Sequence, residues 1–204
     1  MFLIGPEPVA PFHWHRQLVS ASAEPTSEAA VVAAASRGDQ TAFAELMRQQ
    51  HERVFRLVYS IVRNDADARD VSQEVWVSVW NQLAEFRGDS RFTTWLHPIA
   101  VRRALDHLRK RRRWYERFLP FETSGVSETA VANESTESIS DQAAAARQAL
   151  EALPPRQRAV LALRELEGLS YEEIAAAMKI PAGTVMSRLY HARRMLARKL
   201  GVNS

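Results

Sequence analysis

The sequence that decides the fold is GLSYEEIAAAMKIPAGTVMSRLYHARRMLARKL, residues 168–200. Ser170 and Glu173 form a capping-box pair, in which the hydroxyl and the carboxylate each accept a hydrogen bond from a free backbone N–H, so a helix is predicted to begin here. Pro181 interrupts the apolar pattern and suits the first position of a second helix, where its missing N–H costs nothing. The stretch therefore predicts two helices joined by a tight turn.

The second helix of this pair is predicted to have two chemically different sides. Its apolar side is a stripe at i, i+4, i+7 and i+11 that would pack on the preceding helix: Val185, Leu189, Ala192 and Leu196. Its other side shows polar and basic residues: Thr184, Ser187, Arg188 and His191, then Arg193, Arg194, Arg198 and Lys199. A helix-turn-helix that enters the major groove offers such residues to base edges and phosphates. An ordinary helical hairpin with a solvated basic face is the structural alternative.

Composition indicates the class of protein. The 204 residues are 46% hydrophobic and 25% charged, which is ordinary for a soluble protein, and the pI of about 9.6 with clustered arginine indicates a polyanionic partner. The chain has no cysteine, and hence no disulfide or thiolate metal site, which fits a cytoplasmic protein. We find neither a signal peptide nor a run of about 20 apolar residues, and we expect no membrane insertion.

The first half of the chain shows further helical periodicity. A short Ala-rich helix is predicted over 27–36 and Asp39 suits the cap of the next, whose apolar residues recur from 43 to 61 as one long helix or as two joined near His51. In DARDVSQEVWVSVWNQLAEF, residues 67–86, a stripe at helical spacing predicts another buried face, with Trp76 and Trp80 beside it: Val71, Val75, Val79 and Leu83.

Three carboxylates of this segment stand one turn apart: Asp67, Asp70 and Glu74. Such a row could bind a metal or act in acid–base chemistry, but no histidine, serine nucleophile or glycine-rich loop converges on it in the sequence. A solvated face or a protein-binding face is the better interpretation. We therefore assign no catalytic residue, no metal and no cofactor, and we expect a protein that is not an enzyme.

A polar loop, FRGDS at 86–90, leads into a helix that is rich in arginine on one side. Pro98 is expected near the first turn of that helix, or else the helix is kinked there. The run RKRRR at 109–113 is followed by Trp114 and Tyr115. Basic residues beside aromatic ones suit single-stranded nucleic acid, whose phosphates are neutralised while its exposed bases stack. For Trp95 a simple core position is the alternative.

An acidic segment divides the chain. Residues 120–141 carry five carboxylates and no basic residue, a composition typical of a linker. We predict an all-α protein of two small helical domains joined by a flexible acidic linker. The predicted boundaries are a disordered extension over 1–26, a first domain over 27–115, the linker over 116–141 and a second domain over 142–204.

From about residue 39 to residue 200, apart from the linker, the chain resembles the extracytoplasmic-function (ECF) class of bacterial sigma factors. Three motifs carry the resemblance: DARDVSQEV at 67–75, FRGDSRFTTWL at 86–96, and GLSYEEIA at 168–175 with GTV at 183–185 and SRL at 187–189. The resemblance implies a protein that binds core RNA polymerase and directs promoter recognition, DNA melting and transcription initiation. It also implies that the acidic linker threads toward the active-site cleft of the polymerase.

The resemblance further implies which residues carry each task. A surface that docks on the clamp helices of the polymerase would consist of Asp70, Gln73 and Glu74. The minus-ten element, with a flipped base of the non-template strand, would be held by Phe86, Arg87, Gly88, Ser90, Arg102, Arg103, Asp106 and Arg109. The minus-thirty-five element would be read as duplex DNA by Thr184, Ser187, Arg188, His191, Arg193 and Arg194.

The chain departs from the family's common pattern at several positions. Met186 and His191 stand where basic residues are frequent, and His97-Pro98 stands where Tyr-Arg is common. Promoter preference therefore cannot be copied from relatives.

Two other functions are weighed against this one. A conventional helix-turn-helix transcription regulator would not bind the polymerase core, but its receiver or ligand domain would show strands as well as helices, and no strand pattern is seen in this sequence. A helical enzyme that acts on DNA would need a nucleophile or a metal cluster. The sequence leaves open the promoter, the inducing signal, and whether an anti-sigma factor holds the protein inactive.

Overall fold

The computed structural model describes residues 28–118 and 141–201, and within these ranges the regular structure is entirely helical. The elements are α1 (Glu28–Ser36), α2 (Gln40–Val62), α3 (Asp65–Gln82), a 3-10 turn (Leu83–Glu85), α4 (Phe92–Phe118), α5 (Asp141–Glu151), α6 (Pro155–Glu165), α7 (Tyr171–Met178) and α8 (Ala182–Lys199). The all-α prediction is confirmed. The predicted extension over 1–26 and residues 119–140 of the predicted linker lie outside the described residues.

Short polar side chains set the helix boundaries in the first half of the chain. The carboxylate of Asp39 accepts from the backbone N–H groups of Thr41 and Ala42 at 2.9 and 3.0 Å, which begins α2. That helix runs unbroken past His51 and ends at Arg63, whose φ of 63° is left-handed. Asn64 then caps α3 by accepting from Asp67 N–H at 2.9 Å.

Helices α1 to α4, which we call the N-terminal unit, pack around an apolar centre. The stripe predicted on α3 is fully buried and lies against apolar residues of α2 and α4. The largest fully buried side chains here are Leu46, Leu57, Ile61, Leu83 and Leu96, and the larger rings of Trp76 and Phe92 are buried nearly as completely. Burial of a leucine or isoleucine side chain contributes about 1.5–3 kcal/mol relative to exposure, so this centre is the main stabilising feature of the unit.

Helices α5 to α8, which we call the C-terminal unit, contain the predicted helix-turn-helix. The capping box is formed in both directions: Glu173 N–H donates to Ser170 Oγ at 3.1 Å, and Ser170 N–H donates to the Glu173 carboxylate at 2.7 Å. Lys179, with φ of 52°, ends α7. The predicted stripe packs inward on α8, because Val185, Leu189 and Ala192 are buried.

Three details of the predicted helix boundaries differ from the structure. Of the two alternatives predicted for Pro98, a place in the first turn is excluded, because α4 begins at Phe92 and Pro98 lies in its interior. Pro181 is the cap of α8 rather than its first residue, since its extended ψ of 145° precedes the helix. The linker predicted over 116–141 overlaps regular structure at both ends, because α4 continues to Phe118 and α5 begins at Asp141.

The two units pack against each other and share one apolar core. Helix α6 contacts α2 and α4, and α7 contacts α4. Apolar residues of both units, among them Val54 and Leu163, belong to this common core. The periodicity of each helix predicted an inward face but not this contact between the units.

Candidate functional site

The side chains predicted to dock a protein partner lie on the outer face of α3. Asp70, Gln73 and Glu74 are exposed, while Val71 and Val75 anchor the opposite face in the core. Within the described ranges no hydrogen bond or ion pair engages the carboxylate of Asp70 or of Glu74. The three predicted residues therefore form one solvent-facing patch on a rigid helix.

Asp67 does not belong to this patch, although it stood in the same row of carboxylates in the sequence. Its Oδ2 accepts from Arg111 Nη1 at 2.6 Å and lies 3.4 Å from His107 Nε2, and both partners are on α4. Asp67 therefore ties α3 to α4. In the part of the chain that the structure describes, no cluster of three or more histidine, cysteine or acidic residues could hold a metal.

Exposed apolar side chains extend the α3 patch, and sequence reasoning missed them. Val77 is 61% exposed one turn beyond Gln73 and Glu74, and Trp80 is 38% exposed one turn farther. The Trp80 ring is fixed edge-on against Phe43 of α2, with 4.8 Å between the ring centroids. Helical spacing from Glu74 was the signal that could have found them, since residues three and four apart share a face.

The loop between the 3-10 turn and α4 is anchored at one end only. Phe86 is half-buried, with its ring centroid 6.0 Å from that of Phe92 and 5.4 Å from that of Trp95. Arg87, Gly88 and Ser90 are exposed. Gly88 has φ of 79°, a left-handed conformation that glycine adopts without strain.

A groove of about 450 Å³ separates this loop from α1, and sequence reasoning did not connect the two. Its α1 wall consists of Glu28, Ala29, Val32, Ala33 and Ser36, and its loop wall consists of Phe86, Arg87, Gly88, Ser90, Arg91 and Phe92. The groove thus combines apolar surface with guanidinium groups and one carboxylate. Glu28 is steadied there by Gln50 of α2, whose Nε2 donates to it at 3.2 Å.

The predicted basic side of α4 is largely exposed. Arg102 and Arg109 face solvent, and Arg103 is half-buried. Asp106 sits between them: it accepts from Arg109 Nη2 at 2.6 Å and lies 4.0 Å from Arg102 Nε. Asp106 therefore orients the guanidinium of Arg109 and lies beside that of Arg102. Near the end of the helix two aromatic side chains are exposed, Trp114 by 58% and Tyr115 by 45%.

The predicted groove-reading side of α8 is only partly open. Thr184 is half-buried, whereas Ser187, His191 and Arg194 are exposed. Arg188 is half-buried, and burial together with the nearby charge of Arg156 lowers the pKa of its guanidinium.

A second arginine of α8 is held by an acidic partner inside the unit. Arg193 Nη2 donates to Glu165 at 2.7 Å, and this hydrogen bond raises the pKa of Arg193. Two further side chains beside these residues are exposed, Met186 at 51% and Tyr190 at 59%. Met186 was noted in the sequence as standing where the family frequently has a basic residue, whereas sequence reasoning missed Tyr190.

Two families of known proteins match parts of the chain. The family described as Sigma-70 region 2 matches residues 46–114, and the family described as Sigma-70, region 4 matches residues 143–196. The chain is 35% identical to the RNA polymerase sigma-H factor of Pseudomonas aeruginosa over 176 residues, which is 80% of this chain and 89% of that protein. It is 36% identical to the ECF RNA polymerase sigma-E factor of Escherichia coli over 187 residues, which is 87% of this chain and 96% of that protein.

A solved structure has a similar fold. The sigma factor RpoE from Bartonella quintana, solved in complex with the anti-sigma factor NepR, matches with a TM-score of 0.63 and 24% identity. The match covers 79% of this chain and 98% of that one.

Proposed function

This chain belongs to the extracytoplasmic-function (ECF) family of RNA polymerase sigma factors, and from that premise we propose which of its surfaces does each part of the family's work. As a sigma factor it binds core RNA polymerase and promoter DNA and directs transcription initiation. The proposal assigns core docking to α3, capture of the melted minus-ten strand to the loop and α4, and duplex reading to α8. The chemistry of RNA synthesis then remains with the polymerase, and this chain is not an enzyme.

The polymerase-docking surface is the exposed side of α3. Asp70, Gln73 and Glu74 supply charge and hydrogen-bonding groups, and Val77 with Trp80 supplies an apolar centre beside them. Interfaces of this kind draw most of their binding energy from a few aromatic and apolar anchors, while charged groups at the rim steer association. The observation that carries the assignment is the absence of any partner for Asp70 and Glu74 among the described residues.

The minus-ten surface is the groove between α1 and the loop, together with the basic side of α4. The groove is large enough for one unstacked base, and the guanidinium groups of Arg87 and Arg91 can neutralise the flanking phosphates. Arg109, oriented by Asp106, and Arg102 beside it extend this positive surface along α4. The exposed rings of Trp114 and Tyr115 offer stacking surfaces for further unpaired bases.

The minus-thirty-five surface is the outer side of α8. We assign contacts with base edges to Ser187, Arg188 and His191, and contacts with phosphates to Arg194. The ion pair with Glu165 orients the Arg193 guanidinium, and Arg193 completes the residues that we assign to the minus-thirty-five surface.

The observation that carries the whole proposal is the presence of both the α3 patch and the helix-turn-helix in one chain. A conventional helix-turn-helix regulator would have no use for a core-docking surface. Run-off transcription with purified core polymerase tests the proposal: specific transcripts are expected only when this chain is added. Promoter binding by the chain without any stimulation of core polymerase would favour the conventional regulator instead.

We also propose that the protein works in the cytoplasm, where polymerase and promoters are found. None of the described helices has the length and apolar character needed to span a membrane. An anti-sigma partner for this chain stays a prediction, and co-purification of the full chain from its own cells would test it.

A further inference from the structure

Three ionisable side chains from distant parts of the chain meet in the interface between the two units. Glu167, in the turn between α6 and α7, accepts a hydrogen bond from Arg53 Nε of α2 at 2.5 Å. The same carboxylate oxygen lies 2.9 Å from His97 Nε2 of α4. The side chains of His97 and Glu167 are each only 4% exposed, whereas that of Arg53 is 39% exposed. The cluster is therefore built into the contact between the units.

The burial of Glu167 makes this contact depend on the packing of the units. A carboxylate taken out of water is strongly destabilised unless donors and positive charge replace the water. Here both replacing groups, Arg53 and His97, come from the N-terminal unit. A second ion pair crosses the same interface, between Arg63 and Glu151 at 3.8 Å. Glu167 thus keeps its partners only while the units are packed together.

Packed units do not fit the geometry that a promoter demands of a sigma factor, and this step rests on the proposed function. The minus-ten and minus-thirty-five elements are about 25 base pairs apart, which is about 85 Å along B-DNA. A compact protein of about 150 residues has a radius of gyration of only about 15 Å. Since α7 packs directly on α4, the units must separate before α8 and the loop can engage one promoter.

We propose that Arg53, His97 and Glu167 form a latch that holds the two units together in the free protein and opens before the promoter is engaged. The latch holds the turn that precedes α7, and on the outer side of α8 the side chains of Ser187, His191 and Arg194 stay exposed. The free protein is thereby held in a form that cannot span a promoter. The latch sets the fraction of molecules whose two units are separated. The apparent affinity for the promoter is reduced in proportion to that fraction.

The distance between the units tests the latch directly. Because the chain has no cysteine, Ala44→Cys in α2 and Ala176→Cys in α7, both at exposed positions, provide one spin-labelling site in each unit. Pulsed electron double resonance on the labelled full chain separates packed from open molecules. We expect one short distance in the parent protein and an open fraction at least about five-fold larger in Glu167→Ala.

Glu165→Ala is the matched control, because Glu165 pairs with Arg193 inside the C-terminal unit, two residues from the latch. An open fraction that rises in Glu167→Ala beyond that of the control supports the latch, and one that does not overturns it. If Glu167→Ala loses helical circular dichroism, Arg53→Gln decides by the same criterion, since Arg53 is the most exposed member of the latch.

Binding to core polymerase and promoter DNA separates this inference from the proposed function. Glu167→Ala should bind core polymerase and promoter DNA at least as tightly as the parent protein does, because its two units are already free to separate. Weaker binding by a folded Glu167→Ala protein would contradict the restraining role of the latch. If no form of the chain binds core polymerase, the proposed function fails, while the spin-label distances still decide whether the latch exists.

Discussion

At the scale of single residues, the exposed carboxylates of α3 are the simplest test of polymerase docking. Asp70 and Glu74 are exposed, and their carboxylates make no hydrogen bond or ion pair among the described residues, so we expect their replacement to leave the fold intact. We expect the double variant Asp70→Ala, Glu74→Ala to weaken core binding about ten-fold or more, with the loss greatest at low salt, where charge steering is strongest. Titration of core polymerase at two ionic strengths measures this.

Glu52→Ala is the matched control for that experiment, because Glu52 is an exposed carboxylate on α2, away from the patch. Equal binding by the control and the double variant would remove α3 as the docking surface. Circular dichroism of both should match the parent.

A second residue-scale prediction concerns Arg188 on α8. A bidentate arginine contact with guanine is worth about 1–3 kcal/mol of discrimination, so Arg188→Ala should lose about 5- to 150-fold in preference for its base at one promoter position. Burial and the charge of Arg156 disfavour the cation in the free protein, and the substitution should therefore not lower the thermal unfolding temperature.

Arg198→Ala provides the contrast, since an exposed arginine near the end of α8 is placed for phosphates rather than bases. It should weaken binding to specific and scrambled duplexes alike. Competition binding with single-base variants of the minus-thirty-five element distinguishes the two effects. Uniform losses for both substitutions would contradict the assigned division.

At the scale of elements, the loop and its groove predict a defect in strand opening. A stacked base cannot enter a pocket, so the groove contributes binding energy only after the duplex opens. Substituting Arg87 and Ser90 by alanine should impair transcription from duplex promoters about ten-fold more than from templates with a pre-opened bubble, because the bubble removes the unpairing cost of a few kcal/mol. Permanganate reactivity of unpaired thymines reports opening directly.

Core binding of the Arg87→Ala, Ser90→Ala protein serves as the control and should equal that of the parent. A protein that opens the duplex normally yet fails equally on both templates would show that the loop is only a connector.

The elements also mark the limit of sequence reasoning. Capping residues such as Asp39 and Ser170 mark the start of their helices through local hydrogen bonds, and the apolar stripe that begins at Val185 follows from helical spacing. These features could therefore be predicted from the sequence. For Pro98 the sequence left two positions open, and only the structure shows that it lies in the interior of α4. No local pattern encodes contacts between residues that are far apart in the chain. The groove between α1 and the loop is one such contact, and the pairing of His97 with Glu167, 70 positions away, is another.

At the scale of the whole molecule, the packing of the two units should depend on pH through Glu167. Burial alone would raise the pKa of this carboxyl, but hydrogen bonds and charge from His97 and Arg53 outweigh it and hold the pKa below its ordinary value. Its stabilising contribution is therefore fully present above the ordinary glutamate pKa of about 4.3 and is lost as the pH falls through the lowered value.

Thermal unfolding of the parent and of Glu167→Gln measures this contribution. We expect the parent to unfold at a higher temperature at pH 7, and the difference between the two proteins to shrink below about pH 4. A difference that stays constant down to pH 3 would mean that the charge of Glu167 does not support the packing.

Helix α4 is continuous from Phe92 to Phe118 and sets the distance between the surfaces at its two ends. From Phe92, beside the groove, to Trp114 the helix rises about 33 Å at 1.5 Å per residue, and Asp67 clamps it from the side through Arg111. A flexible connection in place of this helix would let the groove and the exposed Trp114 and Tyr115 side chains move relative to each other. If the groove and these aromatic side chains hold unpaired bases as proposed, the length of strand that they can hold at once is set by the number of helical turns between them.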